Sequence, residues 1–180
     1  MNKTIVLMGI TSSGKDTAIK YISENYDIPI AVSYSTRPRR PNETDGIEYH
    51  FVSDKEFDKL PQIIPPRIYN TFQDNKPAVW KYLTNPNVAG RVVILDKKGA
   101  ELLCEALGRE NVIVIYIKSS LENIEKRLII RNDSEMERNR RIIDDTKVFK
   151  GAEQFADYTI ENNSTLWQFY KKIDKIMLDK

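Results

Sequence analysis

The chain has 180 residues, 41% apolar and 30% charged, with a net charge of +2 and a single cysteine. Such a composition describes one folded domain with a substantial core; the small net charge gives no reason to expect nucleic acid as a partner. One cysteine excludes an intrachain disulfide, and the apolar runs fall short of the roughly 20 residues a membrane helix needs. No signal peptide is visible after Met1-Asn2-Lys3, so a cytoplasmic location without a membrane partner is expected.

In chain order, Ile5 to Met8 reads as a buried strand and Thr17 to Asn25 as a helix. Ile30 to Ser33 and Glu48 to Val52 read as further short strands, and Asp54 as the N-cap of a short helix through Leu60. Residues 61–90 hold five prolines and are expected to be irregular. Regular alternation then resumes, with strand 92–95, helix 98–107, strand 112–117 and helix 120–131. Cys104 falls in the apolar pattern of the first of these helices, as a small core residue. A charged helix over 134–150 follows, then a strand over 158–161 and an amphipathic helix from Thr165 to Met177. Strands alternating with helices imply an α/β fold whose parallel sheet is covered on both faces. The middle of the chain reads as an insertion on that core.

Directly after the first strand comes Gly9-Ile-Thr-Ser-Ser-Gly14-Lys15, and directly after it a helix. Glycines at this spacing let successive amides converge on an anion, the helix N-terminus adds partial positive charge, and Lys15 reaches the β- and γ-phosphates of a nucleotide. The reading assigns Gly9, Thr11, Ser12, Ser13, Gly14, Lys15, Asp16 and Thr17 to ATP binding. Asp16 stands where this motif usually has Ser or Thr; as a carboxylate it is a candidate Mg²⁺ ligand, or a charge that repels the donor phosphates.

A second segment, Ser33 to Val52, gathers hydroxyls, three arginines and a tyrosine around two prolines and a glycine. Arginine suits bidentate phosphate contacts, so the cluster Arg37, Arg39 and Arg40 is a candidate anion site. So is the cluster Arg127, Arg131, Arg138, Arg140 and Arg141, beside the plainer reading of a solvated helix face. Two phosphate-type sites in one chain suggest a donor and an acceptor, hence phosphoryl transfer. Ser35-Thr36-Arg37, then Arg40, Glu43, Gly46, Tyr49 and Phe51, closely resemble the guanylate kinase signature. Asp96-Lys-Lys-Gly99-Ala100, Arg127-Leu128, the run from Asp133 to Arg141, and Asn162 extend the resemblance over most of the chain.

The resemblance implies a P-loop NTPase-type fold with core 1–32, 91–126 and 145–180, an acceptor-binding insertion over about 33–90 and a lid over about 127–144. It implies ATP and Mg²⁺ on the donor side and a nucleoside monophosphate, GMP first, as acceptor. Ser35, Arg37, Arg40 and Tyr49 would hold the acceptor phosphate, Tyr82 would touch it and Thr84 would meet the base. Asp96 is a further acceptor-side residue, and Asn162 matches an asparagine near the adenine. Lys15, Arg131 and Arg141 would meet the transferring phosphoryl group, with Arg127 a lesser match.

The family's base-reading glutamate has no counterpart in Pro65-Pro-Arg-Ile-Tyr-Asn-Thr71, and Ile94 replaces one of two strand-end aspartates. Asp74 is a possible substitute carboxylate, and Asp96 has a second reading as a helix N-cap. Two alternatives therefore stay open: another phosphorylated acceptor such as a different nucleotide or ribose 1,5-bisphosphate, or a non-catalytic binding module of the same fold.

Overall fold

The computed structural model describes residues 3–41, 43–73, 76–130 and 135–179. Strand β1 (Thr4–Met8) is buried at every position, as its unbroken apolar run requires. It lies inside a parallel sheet with β6 (Val92–Ile94), β7 (Val112–Lys118) and β8 (Tyr158–Glu161), in the order β6-β1-β7-β8. Both faces are covered, and the alternation along each strand decides which residues go where. Ile5 and Leu7 join Ile113, Ile115 and Ile117 against α1 (Lys15–Tyr26) and α7 (Leu166–Leu178). Val6 and Met8 join Val112 and Val114 against α3 (Lys97–Leu107) and α6 (Ala152–Phe155). Cys104 is buried in this second layer, as expected. Each fully buried side chain of this kind contributes about 1.5–3 kcal/mol relative to exposure.

The strand expected over 30–33 reduces to one parallel bridge from Ile30 to Val92 at the β6 edge. The chain then leaves this sheet, because Tyr34 and Ser35 pair elsewhere. They form β2 (Tyr34–Ser35) of a second sheet with β3 (His50–Phe51), β4 (Arg67–Gln73) and β5 (Lys76–Leu83), in the order β3-β2-β5-β4. The expectation of irregular chain over 61–90 is thus wrong: β4 and β5 are an antiparallel pair running from Arg67↔Tyr82 to Gln73↔Lys76. The prolines misled because they sit where no ladder bond is needed. Pro65 and Pro66 precede β4, Pro86 follows β5, and Pro77 lies beyond the part of β5 that β2 reaches.

Between β3 and β4, α2 (Asp54–Phe57) is shorter than expected and is capped by Ser53, not Asp54. Ser53 and Glu56 satisfy one another's backbone N–H in a capping box. Helices α4 (Leu121–Ile130) and α5 (Glu135–Val148) match the two expected there to within two residues. Among the described residues no helix is long and apolar enough to cross a membrane.

Candidate active site

The loop after β1 is shaped by backbone geometry. Gly14 has φ 109° and is the N-cap of α1, where it offers no side chain to bond the first-turn N–H groups. Those donors carry no side-chain cap, the arrangement by which helix N-termini take up anions. A side chain at Gly14 would run into the Asn162 amide, and one at Gly9 would stand 2.5 Å from Ile117 O. Lys15 folds over the loop, its Nζ donating to Gly9 O at 2.7 Å and Ile10 O at 2.8 Å. The Ser12 and Ser13 hydroxyls are buried with no hydrogen-bond partner among the described residues. Asp16 is exposed on the first turn of α1, next to the half-buried Thr17.

Two residues hold this loop from behind. Arg127 Nη1 donates to Ser12 O at 2.9 Å and Ser13 O at 3.3 Å, while its Nη2 donates to Asn162 O at 3.0 Å. Asn162 is buried, and its Nδ2 donates to Ser13 O at 2.8 Å. The side chain expected near an adenine is thus engaged with the loop itself. In front of the loop, Thr11 N–H donates to Asp145 Oδ2 at 2.5 Å. Burial pushes the Asp145 carboxyl above its ordinary value, against the pull of Thr11 N–H, Lys15 and Arg141. An aspartate of α5 therefore occupies one of the loop's amides.

Across the cleft, Ser35 is fully buried and its Oγ accepts from Arg37 N–H at 3.3 Å. Arg37, 8% exposed, grips Glu43 with two nitrogens at 2.7 and 2.5 Å and lies 5.1 Å from the ring centroids of both Tyr49 and Phe51. Burial pushes the Glu43 carboxyl up, but the bonds from Arg37 and from Arg40 N–H outweigh it and hold it low. Arg40 is more open, 44% exposed and 3.9 Å from Glu43. Burial raises the Tyr49 hydroxyl far above its usual value, with Tyr82 the next cause. Tyr82 links this cluster to the hairpin, its ring 5.4 Å from both Tyr49 and Tyr69.

Asp96, at the end of β6, is the N-cap of α3: its Oδ1 accepts from Gly99 N–H at 2.6 Å. Its Oδ2 accepts from Arg67 Nε at 2.9 Å and from the Tyr69 hydroxyl. Burial, then the Asp96 charge, keep the Tyr69 hydroxyl protonated to well above the usual tyrosine value.

The loop and the Arg37 cluster face one cleft of about 1000 Å³, with Gly9, Thr11 and Lys15 on one wall and Arg37, Arg40, Tyr49, Tyr82 and Thr84 on the other. Asp96 and Arg67 line it, and Arg140, Arg141, Asp144 and Asp145 of α5 border it. Of the other residues picked out in the sequence, Ser12, Ser13, Gly14, Asp16, Thr17, Ser35 and Asn162 do not line it. Arg131 and the candidate substitute Asp74 lie outside the described residues. Arg67, Tyr69 and Asp145 were missed. The alternation of Arg67, Tyr69, Trp80 and Tyr82 across a two-residue connection was the available signal for the first two; nothing local marks Asp145.

A family model described as Guanylate kinase matches residues 1–180. The chain belongs to the guanylate kinase family. A guanylate kinase of Thermobifida fusca is 32% identical over 167 residues, 88% of this chain and 83% of that protein. One of Bifidobacterium longum is 31% identical over 172 residues, 90% of this chain and 87% of its own length. Among solved structures, a guanylate kinase from Anaplasma phagocytophilum has a TM-score of 0.66 at 21% identity, covering 99% of this chain and 85% of that one, which is a likeness of fold. The fold is that of a P-loop NTPase, and the protein is a nucleoside monophosphate kinase, not a binding module.

Proposed function

We propose that the protein transfers the γ-phosphoryl group of ATP to GMP. The observation that carries this reading is a single basic cleft that joins the glycine loop to the Ser35–Phe51 segment. The α-phosphate of a monophosphate acceptor is already anionic, so attack needs no strong general base. Catalysis is then positioning and charge neutralisation. His50, the only histidine, fits this: its ring packs 4.9 Å from Tyr34.

On this reading the amides of residues 9–14 cradle the donor phosphates. Lys15, released from the Gly9 and Ile10 carbonyls, and Arg141 meet the transferring group, and Arg131 is assigned with them. Ser35, Arg37, Arg40 and Tyr49 seat the acceptor phosphate, with Tyr82 beside it and Thr84 toward the base. The segment 33–90 would act as the acceptor-binding part and 127–144 as the lid on a core of 1–32, 91–126 and 145–180. The exposed Asp16 carboxylate and the Thr17 hydroxyl are hard oxygen donors on the first turn of α1, which suits Mg²⁺. When bound, that ion would neutralise charge on the β- and γ-phosphates.

A second reading keeps the reaction and changes the acceptor. It is favoured by Asp96 being already engaged by Gly99, Arg67 and Tyr69, which leaves it little capacity to read guanine. A coupled ADP-release assay with ATP, Mg²⁺ and GMP, dGMP, AMP, CMP, UMP and ribose 1,5-bisphosphate tests both. The first reading expects GMP to have the highest kcat/KM; a preference for ribose 1,5-bisphosphate or a pyrimidine nucleotide would replace it with the second.

A further inference from the structure

We propose that Arg67 is the specificity-determining residue for the base and reads a 6-oxopurine from its O6/N7 side, so that IMP is an acceptor alongside GMP. The inference rests on the reading of the protein as a GMP kinase. It begins with the state of Asp96, the carboxylate beside Arg67 and Tyr69 in the cleft. Asp96 is 6% exposed and already accepts three hydrogen bonds, from Gly99 N–H, Arg67 Nε and the Tyr69 hydroxyl. A carboxylate offers about four lone-pair directions, so little acceptor capacity remains. One of the three bonds also caps α3. To accept from the N1–H and N2–H groups of guanine, Asp96 would have to release Arg67 and leave that guanidinium facing the same donors.

Arg67, beside Asp96 and the Tyr69 hydroxyl, is the cationic group on this part of the wall. It is 34% exposed, lines the cleft, and is held in place by Asp96 through Nε. Tyr82 lies directly across from it and Trp80 directly across from Tyr69, so Arg67 stands in a wall of aromatic rings. A guanidinium carries only donors, in a fixed fork. The matching edge is a pair of adjacent acceptors, and O6 with N7 of a 6-oxopurine is the pair that arginine reads best. Adenine offers a donor beside N7 and would set donor against donor. A second phosphate fits less well than a neutral base, because Asp96 beside Arg67 cancels its charge and repels an anion.

Steady-state kinetics with GMP, IMP, AMP, CMP and 7-deaza-GMP, which lacks the N7 acceptor, tests this. IMP keeps O6 and N7 but lacks the N2 amino group, so its kcat/KM should lie within about fivefold of that for GMP. A bidentate arginine–base contact is worth about 1–3 kcal/mol, so 7-deaza-GMP should be roughly five- to a hundredfold worse than GMP. In Arg67→Met, kcat/KM for GMP and IMP should fall together by a similar factor with the ATP KM unchanged. The penalty for 7-deaza-GMP should then disappear, which a merely structural role for Arg67 would not bring about. If GMP is turned over but IMP is inert and 7-deaza-GMP is as good as GMP, the base is read on its N1/N2 edge and the inference is overturned. If CMP or AMP is preferred to both 6-oxopurines, or GMP is not turned over at all, the underlying GMP reading fails and this inference with it. The wild-type panel decides even if Arg67→Met does not fold.

Discussion

The two walls of the cleft are built to hold anions by different means. On the proposed donor side the contacts would come from main-chain amides of the glycine loop and from the N-terminus of α1, which no side chain caps. Their shape is fixed from behind by Arg127 and Asn162 bonding the Ser12 and Ser13 carbonyls. On the acceptor side the contacts come from side chains, each fixed by a partner within the wall: Arg37 by Glu43, and Arg67 by Asp96. A backbone cradle binds any phosphate, whereas a wall of paired side chains can be re-tuned by single substitutions. Change in substrate preference therefore belongs on the acceptor side, and loss of chemistry on the donor side.

The hardest test of that separation is Lys15→Met. It removes the charge that meets the transferring group, and kcat should fall by roughly 10²–10³-fold or more, the scale for one preorganised transition-state donor. Calorimetry should show GMP binding within about twofold of wild type. Loss of GMP binding in this variant would mean that the two walls are not independent.

Arg127→Ala should give the next largest effect, and through stability as much as rate. The change leaves four acceptors, Ser12 O, Ser13 O, Ser119 Oγ and Asn162 O, without that donor. Ser13 O keeps its bond from Asn162 Nδ2 and Asn162 O its bond from Ser119 Oγ, but Ser12 O loses its side-chain donor. An unsatisfied group of this kind costs about 1–3 kcal/mol, so a net loss of about 2 kcal/mol in urea unfolding is expected. The ATP KM should rise with it, while the GMP KM stays near wild type in the fraction that folds. Arg40→Ala should do the reverse on a smaller scale. Arg40 is an exposed contact on the acceptor wall, and the GMP KM should rise by roughly tenfold, the value of one charged hydrogen bond, with the ATP KM unchanged.

The donor wall was legible in the sequence because its determinants are contiguous. Gly9, Gly14 and Lys15 lie between a strand and a helix that their own apolar patterns announce, and the parallel sheet followed from the same alternation. The acceptor wall was legible in its contiguous part, Ser35 to Phe51, while Tyr82, Thr84 and Asp96 were reached only through the family resemblance. The hairpin β4–β5 was hidden by prolines that flank it, and Arg67 meets Asp96 across 29 positions. Asp96 itself was read both as a cap and as an acceptor-side residue; the cap is made, and the Arg67 pair engages its other oxygen. No local spacing encodes such a partner, since it exists only once β4 of the second sheet reaches the N-cap of α3. The contact from Asp145 to Thr11, 134 positions apart, is hidden for the same reason.

Asp145 gives the subtlest test, because it is an acidic side chain on the wall that should hold ATP. Its carboxylate takes the Thr11 amide that a donor phosphate would need, so ATP has to displace it. Asp145→Asn keeps a neutral acceptor for Thr11 and removes the charge, and ATP should bind about tenfold more tightly at neutral pH. The same residue should mark the pH dependence of folding. Burial holds its pKa above the unfolded value, so the folded state binds this proton more tightly than the unfolded chain does. That contribution is fully present below the ordinary aspartate value and is lost as pH rises through the raised one. Wild-type stability should therefore decline with rising pH across that window relative to Asp145→Asn, a difference that paired urea titrations would resolve. An Asn variant that bound ATP no better, yet lost the pH-dependent difference, would show Asp145 buried for packing alone and the amide of Thr11 no part of the donor cradle.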